Sequence, residues 1–204
     1  MGEYKKYILN RRDLHDNPID QFNVWFEAAK KNTLEPEVMA LATANLEAVP
    51  SCRMVLIKYW DDKGFVFFTN GESRKGKELH QNPVAMGTFY WKELERQVII
   101  EGSVGPIPTF ESDRYFASRS REAQVGAWAS HQGKELDSRE TLIERFNEFN
   151  ERFADNPIPR PPYWEGYRLF PKRMEFWQGR ENRLHDRFSY SLEDNNWIIK
   201  RLYP

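Results

Sequence analysis

The sequence predicts a β-dominated α+β protein built on an antiparallel barrel with peripheral helices, and three observations carry that reading. Five short β-rich runs lie close together between Val38 and Val104, turn signals of hairpin length separate them, and helical periodicities fall before, within and after the block. Hydrophobic residues make up 40% and charged residues 30% of the 204, which is the balance of a folded chain and excludes a disordered or fibrous one. That length suits one compact unit, so residues 1–204 read as a single domain.

Asn17 followed by Pro18 supplies an N-cap and a first helical position, and Phe22, Trp25, Phe26 and Ala29 recur at helical spacing, predicting a helix of about four turns. Strands are expected at 38–43, 52–59 and 65–69, with Asp61-Asp62-Lys63-Gly64 turning the chain between the last two. A short helix at 73–80 interrupts the strands, which resume at 84–90 and 97–104. Helices follow at 109–118 and 138–153, and the Pro-rich stretch 157–162 reads as an extended connection inside the domain. The tail returns to strands at 167–170, 173–177, 184–190 and 197–201.

Composition narrows function by exclusion. Thirty Lys and Arg against thirty-one Asp and Glu leave a net charge of -1, which argues against a nucleic-acid-binding surface, so any anion site is local. No window approaches the roughly 20 consecutive apolar residues of a membrane helix, and the polar N-terminus carries no apolar signal segment. Cys52 is the only cysteine, so an intrachain disulfide and a four-cysteine zinc site are excluded, no metal ligands are assigned, and a cytoplasmic protein is expected. Seven tryptophans fit either a large core or interface, or a flat aromatic ligand.

Four segments concentrate cations. Arg53 and Lys58 lie on one apolar strand, about 16 Å apart at roughly 3.3 Å per residue and on opposite faces. As strand-end cations they need only solvent; as ligands they serve different anions. The run Thr69-Asn70-Gly71-Glu72-Ser73-Arg74-Lys75 leaves a strand and starts a helix, where unpaired N–H groups and two cations form a phosphate cradle. Cations at that end oppose the helix dipole unless an anion is present. Tyr115, Arg119 and Ala123 are spaced four apart and would share one helical face, either as a second anion site or as an ordinary surface row. Finally, if the chain re-enters a strand after a turn at 179–182, Arg183, His185 and Arg187 share a face, and two guanidiniums beside an imidazole call for an anionic or electron-rich partner.

At these residues the chain resembles the pyridoxine 5'-phosphate oxidase family. The resemblance runs from about Arg11 to Pro204 and rests on RMVLIK (53–58), TNGESRKGKEL (69–79), FYWKELERQV (89–98), SHQ (130–132), EFWQG (175–179) and RLHDR (183–187), in the family's order. It implies an FMN-binding split β-barrel that acts as a homodimer with active sites at the interface. The implied reaction converts pyridoxine 5'-phosphate and pyridoxamine 5'-phosphate to pyridoxal 5'-phosphate, with hydride passing from C4' to N5 of FMN and O2 yielding H2O2.

By motif, the implied FMN contacts are Arg53, Met54, Val55, Leu56, Ile57 and Lys58, then Phe68, Thr69, Arg74, Lys75, Gln97, Gln132, Gly133, Trp177 and Arg187. The implied substrate contacts are Lys58, Tyr115, Arg119, Ala123, Arg183, Leu184 and His185, with Arg183 and His185 at the reacting pyridine ring as the catalytic pair. Ala123 and Gly133 stand where the family usually has serines. Residues 1–17 resemble a mobile lid, with Glu3 and Tyr4 in place and no arginine ahead of them. Another split-barrel flavoprotein would share Arg74, Lys75 and Gln97 but has no need of Tyr115, Arg183 and His185, and Ala123 and Gly133 are the positions that favour a non-catalytic FMN or pyridoxal-phosphate binder.

Overall fold

The computed structural model describes residues 6–204. Helix α1 (Pro18–Asn32) begins as expected, with the Asn17 side chain accepting the Ile19 N–H at 2.9 Å and Pro18 at the first position. Strands β1 (Val38–Ala44), β2 (Pro50–Asp61) and β3 (Gly64–Asn70) lead to helix α2 (Arg74–Gln81), and β4 (Val84–Trp91) and β5 (Arg96–Pro106) follow. Three helices come next, α3 (Thr109–Ala117), α4 (Arg121–Ala129) and α5 (Arg139–Phe153), before β6 (Trp164–Gln178), β7 (Asp186–Glu193) and β8 (Asn196–Leu202). All pairings are antiparallel in the order β3-β2-β1-β4-β5-β6-β7-β8, and β3 also pairs with β6. That extra pairing closes six strands into a barrel and leaves β7 and β8 as an extension.

Alternation along each strand fills the barrel with Met39, Leu41, Phe65, Phe67, Phe89, Ile100, Leu169, Met174 and Phe176, all fully buried. Helix α1 plugs one end: the Phe22 ring lies 4.8 Å from Phe65, 5.1 Å from Phe89 and 5.9 Å from Trp91, and Trp25 meets Phe176 at 5.2 Å. Helix α2 crosses the opposite end, where Thr43, Ser51 and Thr69 finish the inner face.

Three expectations are corrected. The two tail strands at 167–170 and 173–177 are one continuous strand, β6. Pro171 sits where β6 has left β3, whose pairing stops at Leu169, and has not yet met β7, whose pairing starts at Arg173. Its missing N–H therefore costs no ladder bond on that side, and a bulge on the β5 side absorbs Lys172. Tyr115, Arg119 and Ala123 do not share a helix, because α3 stops at Ala117 and Ser120 caps a new helix, α4, by accepting the Ala123 N–H. The strand expected from Leu184 starts at Asp186, since Glu181–Arg183 forms a 3-10 turn with Asn182 and Arg183 at φ of 55° and 62°.

From Lys6 onward the N-terminal segment lies against the barrel. The Lys6 and Leu9 N–H groups donate to Glu95 and Asp186, each at 3.1 Å, and the His15 carbonyl accepts from Tyr190 at 2.8 Å. Glu3 and Tyr4 of the expected lid lie outside the described residues. Among the described residues no helix is long and apolar enough to cross a membrane.

Candidate functional site

The start of α2 is built by a tight turn. Ser73 donates to the Asn70 carbonyl at 2.6 Å and caps the Gly76 N–H, and a Cβ on Gly76 would lie 2.2 Å from the Gly71 carbonyl oxygen, so only glycine fits. The turn sends Lys75 inward, where it is 8% exposed. Its Nζ donates to Gln132 Oε1 at 2.9 Å, Thr69 Oγ1 at 3.0 Å and Ser73 Oγ at 3.2 Å, all neutral acceptors. Among the described residues no carboxylate pairs with it. Burial, and then the nearby Arg53 guanidinium, push the Lys75 ammonium down to about 8.

Arg53 reaches the same end from β2, donating to the Leu41 carbonyl at 3.2 Å, to Thr43 Oγ1 at 2.6 Å and to Ser51. Glu78 lies 3.6 Å from Arg53 and 2.8 Å from Arg74 Nε. Burial alone would raise the Glu78 carboxyl, but hydrogen bonds from Ser51, Thr43 and Arg74 outweigh it and hold the group at about 2. Two cations, Arg53 and Arg74, thus share one carboxylate, and Lys75 beside them has none, so the cluster carries an excess of positive charge suited to a phosphate. Gly133 lines the adjoining recess with Arg74 and Lys134 at φ of 83°, a left-handed backbone that a serine would adopt only under strain.

A cavity of about 390 Å³ opens beside Lys75, lined by Phe68, Thr69, Arg119, Ala123, Gln132 and Trp164 among others. The Arg119 guanidinium packs on Trp164 at 5.2 Å and Phe116 at 5.6 Å, burial holds its pKa below the ordinary value, and Nη1 is buried without a hydrogen-bond partner. A buried donor left unsatisfied is costly, which marks this as a place for an anion. The break at Ser118 to Ser120 brings Arg119 and Ala123 onto one wall although they share no helix. Tyr115 stands behind, its ring stacked on Phe68 at 4.1 Å.

The remaining candidates lie elsewhere. Gln97, Trp177 and Arg187 are direct partners across β5, β6 and β7 and so share one face. Arg187 donates through both Nε and Nη2 to Glu175 at 2.8 Å and through Nη1 to the Tyr203 carbonyl at 3.0 Å. Glu175 is almost wholly buried and also accepts from Arg173 at 2.7 Å. Glu175→Gln should lower folding stability by about 1–2 kcal/mol, read by urea unfolding, because two guanidiniums lose the charge they share. His185 lies 4.7 Å from the Trp177 ring and accepts the Arg180 N–H on Nδ1 at 3.0 Å. Burial, Arg183 and Arg187 together hold its imidazole below the ordinary histidine value, against Asp186. Arg183 and Leu184 precede β7, and Leu184 is 69% exposed.

Along β2 the faces alternate. Arg53, Val55 and Ile57 point inward, Ile57 into the core at 2% exposure, so only its backbone can meet a ligand. Met54, Leu56 and Lys58 point outward, and Lys58 is the extra residue where the register with β3 shifts. The two groups of candidates sit at opposite ends of β6: Trp164 touches Arg119, and Trp177 touches His185. Thirteen residues separate them, about 43 Å of strand at roughly 3.3 Å per residue, so one small ligand cannot touch both in one copy. Sequence reasoning did not single out Glu78, Glu175 or Trp164. Glu78 carried a readable signal, four residues after Arg74 on a helix.

A family model described as "Pyridoxamine 5'-phosphate oxidase" matches residues 26–152. The chain belongs to the pyridoxamine 5'-phosphate oxidase family. A second model of the family, the "Pyridoxine 5'-phosphate oxidase C-terminal dimerisation region", matches residues 164–204. Relatives named pyridoxine/pyridoxamine 5'-phosphate oxidase include one from Rippkaea orientalis, 51% identical over 204 residues, covering 99% of this chain and 96% of that protein. Another, from Paraburkholderia phymatum, is 53% identical over 205 residues, covering 98% and 96%. Among solved structures, PhzG from Burkholderia lata 383, in complex with tetrahydrophenazine-1-carboxylic acid, aligns over 100% of both chains with a TM-score of 0.91 and 35% identity. An FMN-binding protein from Nostoc punctiforme matches with a TM-score of 0.75 at 16% identity and speaks for the fold alone. The protein is an oxidoreductase of this family with a split-barrel fold and the family's dimerisation region, and the comparisons support a flavin cofactor.

Proposed function

We propose that the protein is an FMN-dependent oxidase that converts pyridoxine 5'-phosphate and pyridoxamine 5'-phosphate to pyridoxal 5'-phosphate, with O2 as electron acceptor, H2O2 as product, and ammonia released from the amine. The observation that carries this reading is a pair of cations beside one cavity whose charges meet no carboxylate among the described residues. Lys75 has only neutral partners and Arg119 has an orphaned Nη1, which together fit two phosphates, one of the cofactor and one of the substrate.

FMN, when bound, supplies hydride acceptance and the return of electrons to O2. Arg53, Arg74 and Lys75 would hold its phosphate. Gln132 gives its carbonyl to Lys75, leaving its amide to donate to a ligand. Arg119 and Lys58 would clamp the substrate phosphate, and Arg183 and His185 would orient the pyridine ring, keeping the reacting carbon in contact range. Because the two residue groups lie at opposite ends of β6, each site is read as shared between two copies of a homodimer. The outward apolar residues Met54, Leu56, Met86 and Tyr90, each at least 39% exposed, support that face as the interface. The single cysteine, exposed at Cys52, supports a cytoplasmic setting, and the whole chain is read as one domain.

The test is direct: purify the protein, record its flavin spectrum, add either B6 phosphate in air, and follow peroxide and pyridoxal phosphate. A yellow protein forming both supports the reading. A protein that oxidises neither substrate overturns it, and turnover of a tetrahydrophenazine carboxylate instead would align it with its structural neighbour.

A further inference from the structure

The loop that carries His185 fixes more than the position of the ring. Arg180 is extended, and the 3-10 turn Glu181–Arg183, closed by the Leu184 N–H on the Glu181 carbonyl at 3.0 Å, folds the chain back. His185 Nδ1 thereby faces the Arg180 backbone N–H at 3.0 Å. Both ends of the loop are anchored through Asp186. Its carboxylate accepts from Arg180 Nη1 at 3.0 Å, the Leu9 N–H at 3.1 Å and Arg201 Nη2 at 2.8 Å. Trp177 lies against the ring at 4.7 Å.

A backbone N–H is a donor at every pH, so the nitrogen it meets must keep its lone pair. A neutral ring then carries its proton on Nε2. We propose that the Arg180 N–H holds His185 as the neutral Nε2–H tautomer, so that the residue serves the reaction as a hydrogen-bond donor to a substrate oxygen or nitrogen and not as a proton acceptor. Protonating Nδ1 would break the bond to Arg180 and add a third cation beside Arg183 and Arg187, which together with burial outweigh the opposing pull of Asp186. The donor role rests on the proposed function; the tautomer does not.

Two measurements test this. In the full-length, FMN-loaded protein labelled with 15N-histidine, long-range proton–nitrogen correlation at pH 7.5 should show an unprotonated Nδ1 and a protonated Nε2 for His185, assigned by the signals missing from His185→Gln. A protonated Nδ1, or tautomers averaging, overturns the proposal whatever the substrate proves to be. In turnover, His185→Gln places an amide donor near the ε position, whereas the shorter His185→Asn holds its amide at the δ position and leaves the ε position without a donor. With flavin content and thermal midpoint matched, Gln should retain kcat/KM about tenfold above Asn, the worth of one neutral hydrogen bond. Equal losses in the two would refute the donor role.

Discussion

Lys75→Met is expected to weaken FMN binding by about 10- to 100-fold while raising the thermal midpoint of the flavin-free protein. The affinity loss is the worth of a charge-assisted hydrogen bond, about 1.5–3 kcal/mol. The gain in stability follows from the surroundings: Lys75 is buried among neutral acceptors beside Arg53, so its charge is unfavourable until an anion arrives. The sign can be followed with pH. The folded ammonium titrates at about 8 and the unfolded one at the ordinary 10.5. Between those values the unfolded chain binds more protons, so this group's contribution makes flavin-free stability rise with pH through that window. FMN affinity should fall over the same window as the cation is lost. Fluorescence titration of FMN and thermal unfolding with and without it, at pH 7 and 9, check both limbs. A variant that loses affinity and flavin-free stability together would contradict the role.

Arg119→Leu is expected to raise KM for the phosphorylated substrates by about 100-fold with flavin content unchanged, corresponding to the loss of a charge-assisted contact of about 3 kcal/mol. Leucine still packs on Trp164 and Phe116, and it removes the orphaned Nη1, so stability should hold or rise. Steady-state kinetics with pyridoxine phosphate and with unphosphorylated pyridoxine separate the effect. The native preference for the phosphate should collapse in the variant, and an unchanged ratio would remove Arg119 from phosphate recognition.

Most barrel strands and α1 were legible because their signals are local: alternation, a turn at Asp61 to Gly64, and an Asn-Pro helix start. The continuity of β6 through Pro171 was not, since it depends on β3 ending and β7 beginning on the same side of that strand. The α3–α4 break had a local signal in Ser118 and Ser120, but the four-residue spacing of Tyr115, Arg119 and Ala123 imitated an unbroken helix. At the site, residue type and the helix start revealed the cations around Lys75. That Lys75 meets no carboxylate, that Arg119 is orphaned, and that Glu175 lies beneath Arg187 are facts of long-range packing. The inward turn of Ile57 and the left-handed backbone of Gly133 likewise became readable only once neighbouring elements were in place.

That the site is assembled from two copies is tested most directly by subunit complementation. Arg119→Leu and Arg183→Leu, each expected to be nearly inactive alone at substrate well below the native KM, are unfolded together, refolded in equal amounts with FMN and assayed at that concentration. In a shared site each mixed dimer carries one site with both substitutions and one with neither, so activity should return to about a quarter of the native value. If each site were built within a single copy, every site would keep one substitution and the mixture would stay as inactive as its parents, contradicting the account.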